Sequence, residues 1–410
     1  MQTFTGKQYL AIDLANSYGL DGEIWNDRLN WYQAHADVIE QGTRDQILEL
    51  ARDAEEPAQF LAGVLAMRAT LNGQPTGYLC GLDATASGLQ LLSVLSGCVK
   101  SAQLCNLVYT GKREDAYTTT YEHVNHLLGA QDSYLRKAVK QALMTHLYGS
   151  KAVPQAVFGE DTKELGAFYQ TIDTLLPGAD QLNRELLALW QDTAMSHDWT
   201  LPDGFDVKVK VMGKVEHEFT FLGASHTVIE QVNQPQATGL SLGANIVHSL
   251  DAMVVREMGR RCNYDPVQVQ AALDAMYSYS GTSTLREKDL ALLRVLELHK
   301  QTGFMSLVVL EYLDGQNSGH LTRDQVSILD RLITTLPKKP FEILAIHDCF
   351  KFHANYGNDV RRQYREILAE LAESDVLSSI ATQITGRPVP VTKLDPNLGN
   401  LIRQSEYALS

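Results

Sequence analysis

The chain has 410 residues, 44% hydrophobic and 20% charged, with 35 Lys and Arg against 49 Asp and Glu for a net charge of −14. That composition excludes a disordered or low-complexity chain and allows a large core with roughly two or three subdomains. No apolar run is long enough to span a bilayer, and the start, MQTFTGKQYLAIDL, lacks a secretory pattern. The five cysteines include no Cys-x-x-Cys pair, which points away from a disulfide framework or zinc site and toward a reducing cytoplasm.

In chain order, residues 1–70 read as mostly helical. NDRLNWYQAHADVIEQ (26–41) has helical apolar spacing, and 44–71 carries two helical segments around Pro57. GQPTG (73–77) is a turn cluster. YLCGLDAT (78–85) is a short apolar run ending in Asp83, a buried strand, and SGLQLLSVLSG (87–97) is a helix. Helices follow at about 112–128 and about 132–148, and 160–196 is again helical. DGFDVKVKVMGKVEHEFTFLG (203–223) alternates and is rich in Val, Phe and Thr, which predicts a β-hairpin within 203–243. NIVHSLDAMVVREM (245–258) returns to helical period. FEILAIHDCFKFHA (341–354) is an apolar strand broken by His347-Asp348, a strand–turn–strand pattern, and a helix follows at 358–373. There is no internal repeat.

Chemistry concentrates at three of these places. On the 132–148 helix, Arg136, Lys140 and Tyr148 recur at spacings of four and eight, forming one slowly drifting stripe. Two cations there suit a triphosphate, and a ring followed by Gly149 suits a base and sugar. Asp83 and Asp348 each sit where an apolar strand ends or turns. Either alone is an ordinary strand-end aspartate. As a pair they can hold two magnesium ions about 3.5–4 Å apart, the arrangement of in-line phosphoryl transfer. The acidic net charge argues against nucleic-acid binding, but the basic residues cluster at Lys112-Arg113, Arg136-Lys137-Lys140, Lys208-Lys210-Lys214 and Arg361-Arg362.

These segments together resemble the single-subunit DNA-directed RNA polymerases of T-seven-like phages and mitochondria. CGLDATASGLQLLSVLSG is similar to that family's motif A (78–97), RKAVKQALMTHLYGSK to motif B (136–149) and AIHDCF to motif C (341–354). TLPDGF (200–205), NIVHSLDA (245–252) and the closing NLGNLIRQSEYALS (tail, 396–410) resemble further signatures, in family order. The resemblance implies an α+β right-hand polymerase, mostly helical with a small antiparallel palm sheet and lacking the N-terminal domain. Its parts would be palm at 1–111 and 249–410, with an insertion at about 260–338, and fingers at 112–248.

It also implies roles. Asp83 and Asp348 would bind two Mg2+. Arg136 and Lys140 would hold the triphosphate, with Lys140 protonating the leaving pyrophosphate. Tyr148 would stack at the insertion site, and Tyr117 would be a second sugar-sensing tyrosine, or a plain helix-face aromatic. His248 would contact the minor groove. His347 would support primer geometry, or simply pack. DNA polymerases of the superfamily carry a glutamate five residues after the motif A aspartate, where this chain has Gly88. They carry an aromatic where this chain has Met144, and continue motif C with glutamate where this chain has Cys349. All three differences favour ribonucleotides. A DNA polymerase of the same fold and an inactive scaffold subunit are the alternatives.

Departures matter as well. The chain is about half the family's length and starts inside the family's palm, which implies a split enzyme. In that reading a second, smaller subunit supplies the N-terminal half, as in the heterodimeric branch of N-four-like phages, of which this would be the larger, catalytic subunit. The expected partners are that subunit, a DNA template, the RNA product, ribonucleoside triphosphates and a single-stranded-DNA-binding or recruitment factor, without a membrane, in the cytoplasm of the infected bacterial host. Gly22 stands where phage members place a triphosphate-binding lysine, and Ala84 follows Asp83 where they have glycine. EYLDGQNSGHLTRDQVSILD (311–330) resembles a degenerate EF-hand in which Gln325 replaces the bidentate carboxylate, so a helix–loop–helix contact surface is expected there, not a calcium site.

Overall fold

A computed structural model describes residues 1–129, 136–277 and 285–410. The predicted start of the motif helix at 132–135 lies outside the described residues. Within them the chain is mainly helical, with three small antiparallel sheets. The predicted α+β character is what the structure shows.

The helices form where their caps and spacing allow. Thr5 and Thr43 each close a capping box with the glutamine three residues on, opening the helices Gly6–Ala15 and Arg44–Arg52. Pro57 opens Pro57–Leu71 at its first turn, where its missing N–H costs nothing. Asp115 caps Ala116–Leu128 by accepting from the backbone N–H groups of Tyr117 and Thr118. The motif helix is Arg136–Leu147.

The central sheet holds strands β1 (Cys80–Asp83), β6 (Leu344–Ile346) and β7 (Cys349–Phe352) in the order β1-β7-β6. Its register sets Asp83 opposite Cys349 and Ile346 opposite Cys349, so the two-residue turn His347-Asp348 lies at the end of β1. The Ala84 N–H donates to the Asp348 carbonyl at 3.1 Å and ties the two ends together. The outer edge of β1 is covered by the tail, since Asp83 and Ser410 exchange backbone hydrogen bonds of 3.4 and 2.9 Å. Gln90, fully buried, donates to Thr85, Cys105 and Ala408 and accepts from the Tyr364 hydroxyl at 2.7 Å. One amide thus fixes the loop between β1 and the Ser87–Ser96 helix against the tail and the Gly357–Glu373 helix.

The predicted hairpin is differently built. Two hairpins occupy the region: β2 (Ser196–Thr200) with β3 (Asp206–Lys210), and β4 (Met212–Phe221) with β5 (Ala224–Asn233). The reading of 160–196 as helical overruns the last helix there, Pro177–Leu187, by nine residues and takes in the first residue of β2, while the single hairpin read within 203–243 holds β3, β4 and β5. The turn at Leu222-Gly223 hides where β4 ends and β5 begins. Both residues have positive φ, +50° and +80°, as a tight two-residue hairpin turn demands, but leucine is not a residue that announces it.

The insertion has its own apolar cluster, which includes Leu292, Val309 and Leu329. The EF-hand-like loop is a helix–loop–helix closed by an internal cation. Arg286 donates to the Asp314 carboxylate at 3.0 Å and to the Gln316 side-chain oxygen at 2.8 Å. Gln325 is buried and caps the Arg323–Thr335 helix through Thr322. A side chain occupied in this way offers no cation ligand.

Candidate active site

Four segments converge on one pocket of about 290 Å³: the end of β1 with the following loop, the Ala116–Leu128 helix, the motif helix and the β6–β7 turn. Asp83, Ser87, Gly88, Tyr117, Lys140, Met144, Tyr148 and Asp348 all line it. Seven of these are residues singled out in the sequence, drawn from positions up to 265 residues apart (Asp83 to Asp348).

Each side chain is held by its backbone. Asp348 sits in the turn after His347, whose φ of +56° is a left-handed conformation that costs about 1–3 kcal/mol and is typical of functional turns. Asp348 is half-buried. Burial and the neighbouring Asp83 charge raise its proton affinity, opposed by His347 and by a hydrogen bond from Ser87. Two carboxylates that repel each other in this way form a hard oxygen-donor pair that a divalent cation would relieve. No cluster of three or more His, Cys, Asp or Glu ligands occurs among the described residues, so the remaining coordination would fall to water and phosphate oxygens, as magnesium usually accepts.

Lys140 lies 4.8 Å over the Tyr117 ring, so the two neighbouring helices present cation and ring together. The Tyr117 hydroxyl is pushed up to about 12 by burial, with smaller contributions from Tyr148, Asp115 and Asp348. Tyr148 follows the motif helix directly, and its ring lies 4.7 Å from that of His248 on the Ser241–Cys262 helix. Gly88 faces the Tyr148 hydroxyl: a Cβ built there would overlap the hydroxyl oxygen and lie 2.9 Å from Cζ.

Other predicted residues stand apart from the lining. Arg136 turns back to an ion pair with Asp115 and donates to Thr118 at 2.7 Å. The Asp115 carboxyl, despite its burial, is held below the usual range by Thr118 and Arg136. Gly149 ends the motif helix at φ +85°, packed against Leu240 and Leu187, a structural post. His347 is exposed in the turn, and His248 reaches the pocket through Tyr148. Gly22 has nothing within 4 Å of its Cβ direction, and its carbonyl accepts from Arg113 at 3.3 Å.

Sequence reasoning missed Asp251. Burial and the Asp348 charge push its carboxyl up to about 6, and its charge in turn raises Tyr148. The signal was present: Asp251 follows His248 by three residues, one turn along the same helix face. Ser87 and Asp115 were also missed. Both read as ordinary helix-start residues.

Residues 3–158 match the family model described as DNA-dependent RNA polymerase. The DNA-directed RNA polymerase of Pseudomonas phage phiKMV is 24% identical over 367 residues, covering 73% of this chain and 44% of the relative. The mitochondrial DNA-directed RNA polymerase of Neurospora crassa is 29% identical over 166 residues, 35% of this chain and 12% of the relative. A probable DNA-directed RNA polymerase of Neurospora crassa is 31% identical over 163 residues, 35% of this chain and 18% of the relative. The chain spans less than half the length of each of these relatives.

Proposed function

We propose, from this kinship with the single-subunit DNA-directed RNA polymerases, that the chain is the catalytic part of a DNA-directed RNA polymerase. The observation that carries the reading is the single pocket in which Asp83 and Asp348 face Lys140, Tyr117, Tyr148 and Gly88. The right-hand assignment follows: 1–111 and 249–410 as palm, 112–248 as fingers.

Two magnesium ions held by Asp83 and Asp348 would neutralise phosphate charge and acidify the 3′-hydroxyl of the growing strand. The chain's own groups do the rest. The β1 end and the His347-Asp348 turn hold both carboxylates at fixed positions beside the α-phosphate. The 3′-hydroxyl gives its proton to solvent as its oxygen bonds to the α-phosphorus, the bond from the α-phosphorus to the α–β bridging oxygen breaks, and pyrophosphate departs with a proton from the Lys140 ammonium. Tyr148 gives the base and sugar a face, and the side-chain-free Gly88 leaves space for the 2′-hydroxyl. This favours a ribonucleotide substrate over the deoxyribonucleotide of the alternative DNA polymerase.

A second polypeptide belongs to the same reading. The described pocket lining offers one cation, Lys140, because Arg136 is tied to Asp115. With a net charge of −14, much of the grip on template and transcript would come from a basic partner. The phage relative fits transcription in the cytoplasm of an infected bacterium, and no described helix is long and apolar enough to cross a membrane.

The test is primer extension on a DNA template with ribo- or deoxyribonucleotides, by the chain alone and with its partner. Asp348→Asn is expected to lower extension by at least about 10³-fold with unchanged thermal stability, the scale on which losing a preorganised electrostatic group costs an enzyme. Wild-type-like extension by that variant would sink the assignment. Preference for deoxyribonucleotides would shift it to a DNA polymerase.

A further inference from the structure

The nucleotide pocket shares Asp83 with a second cavity of about 170 Å³. This neighbour is lined by carboxylates, among them Asp13, Asp21 and Glu56, and by a single basic side chain, Lys351. The lysine is placed by the sheet. It stands on β7 opposite Gly81, and Asp83 stands opposite Cys349, so Gly81, Asp83, Cys349 and Lys351 share one face. Gly81 is what makes the placement possible: a Cβ there would lie 2.7 Å from the Lys351 Nζ and 3.0 Å from its Cε. The side chain lies flat across the glycine.

Despite the carboxylates around it, Lys351 has no hydrogen bond or ion pair among the described residues. Asp13 takes its bonds elsewhere, from the Tyr78 hydroxyl at 2.5 Å and the Gly81 N–H at 2.7 Å. A half-buried ammonium with three open donors, beside a catalytic carboxylate and at the edge of a phosphate-sized cavity, is unusual unless an anion completes it. A bare anion would be repelled by Asp21 and Glu56. A phosphate tail carrying its divalent cation would not.

We propose that Lys351 binds the β- and γ-phosphates of the incoming nucleotide, and the pyrophosphate released from them, opposite Lys140. The assignment rests on the polymerase reading. It gives the triphosphate a second cation from the palm sheet, on the other side of Asp83 from the motif helix.

The test uses the full chain with whatever partner it requires, on a primed template. Losing a charge-assisted hydrogen bond of about 1.5 kcal/mol corresponds to about tenfold. Lys351→Met is therefore expected to raise the ribonucleotide KM and the inhibitory concentration of inorganic pyrophosphate each by about that factor, with kcat changing much less. Equilibrium binding of a fluorescent ribonucleotide to a complex with a chain-terminated primer should weaken in parallel. Lys351→Arg should restore most of both. If Lys351→Met is too unstable to assay, Gly81→Ala displaces the lysine tip and should move the same two readouts. Unchanged KM and pyrophosphate inhibition, or a loss confined to thermal stability and kcat, would make Lys351 a counter-ion of Asp13 only and overturn the proposal. Retained extension by Asp348→Asn would instead strike the polymerase reading, so the two failures are separable.

Discussion

At the scale of single residues, Gly88 carries the sharpest consequence. A side chain there collides with the Tyr148 hydroxyl before it meets any substrate. Gly88→Ala should therefore move Tyr148 and blunt the distinction between sugars. The expected outcome is a fall of about tenfold in kcat/KM for ribonucleotides, the scale of losing about 1.4 kcal/mol of transition-state binding, with a smaller fall for deoxyribonucleotides. Paired single-nucleotide extension assays read it directly, and an unchanged sugar preference would remove Gly88 from the specificity argument. Lys140 and Tyr148 were legible in the sequence through their spacing on one helix, Gly88 and Tyr117 only through the resemblance to the family's motifs. Asp251 and Lys351 were not, because what they do depends on neighbours brought from distant segments. Arg136 shows what spacing leaves out. Its spacing marks a phosphate ligand, while the fold spends its charge on Asp115.

At the scale of elements, the segment TLPDGF is a clamp between sheet and helix. Asp203, its side chain fully buried, accepts from Arg256 at 2.6 and 3.1 Å and from Arg260 at 3.0 Å, both on the Ser241–Cys262 helix that carries His248 and Asp251. Burial alone would raise its carboxyl, but the two guanidinium groups outweigh burial and hold it below the ordinary value. A depressed folded-state pKa means the clamp's stabilisation is present above the unfolded value near 3.9 and is lost as pH falls through the folded one. Asp203→Asn should therefore cost about 3 kcal/mol near neutral pH, since it leaves Arg256 without its carboxylate and Arg260 with only Glu257 and Glu311. The deficit should shrink toward zero in strong acid. Chemical denaturation at pH 7 and pH 3 checks the sign, and a deficit that grows on acidification would refute it. Helices with capping boxes and the strand–turn–strand at 344–352 were readable from pattern. The hairpin span 203–243 was readable too, but not its division into two hairpins beginning at Ser196, because β5 is exposed almost throughout and has no buried face to impose alternation.

At the scale of the whole molecule, the apolar residues divide into two cores. One runs from Phe4 to Leu409 and includes Leu89, Val139, Leu143 and Ile246, residues of helices that carry the pocket lining or adjoin it. The other lies wholly within 264–336 and contains none of the site residues. The family resemblance implied an insertion but could not show that it packs on itself. That depends on Leu292 and Leu329 sharing one cluster, and on Arg286 closing the 314–316 loop. Although Ser306 and Leu307 donate to Glu257 at the boundary, a core with its own apolar cluster should be largely separable in energy. Leu292→Ala, at a fully buried position, is expected to cost about 2–5 kcal/mol of the insertion's stability by leaving a cavity. Extension kinetics at low temperature should stay within about twofold of wild type, because sites more than 7–10 Å apart without shared partners act independently. The equivalent Leu143→Ala, at a fully buried position of the motif helix, should cost both stability and activity. Hydrogen exchange localises the loss. If Leu292→Ala lowers protection in the motif helix as much as in the insertion, the two cores fold as one, and the insertion is part of the catalytic body.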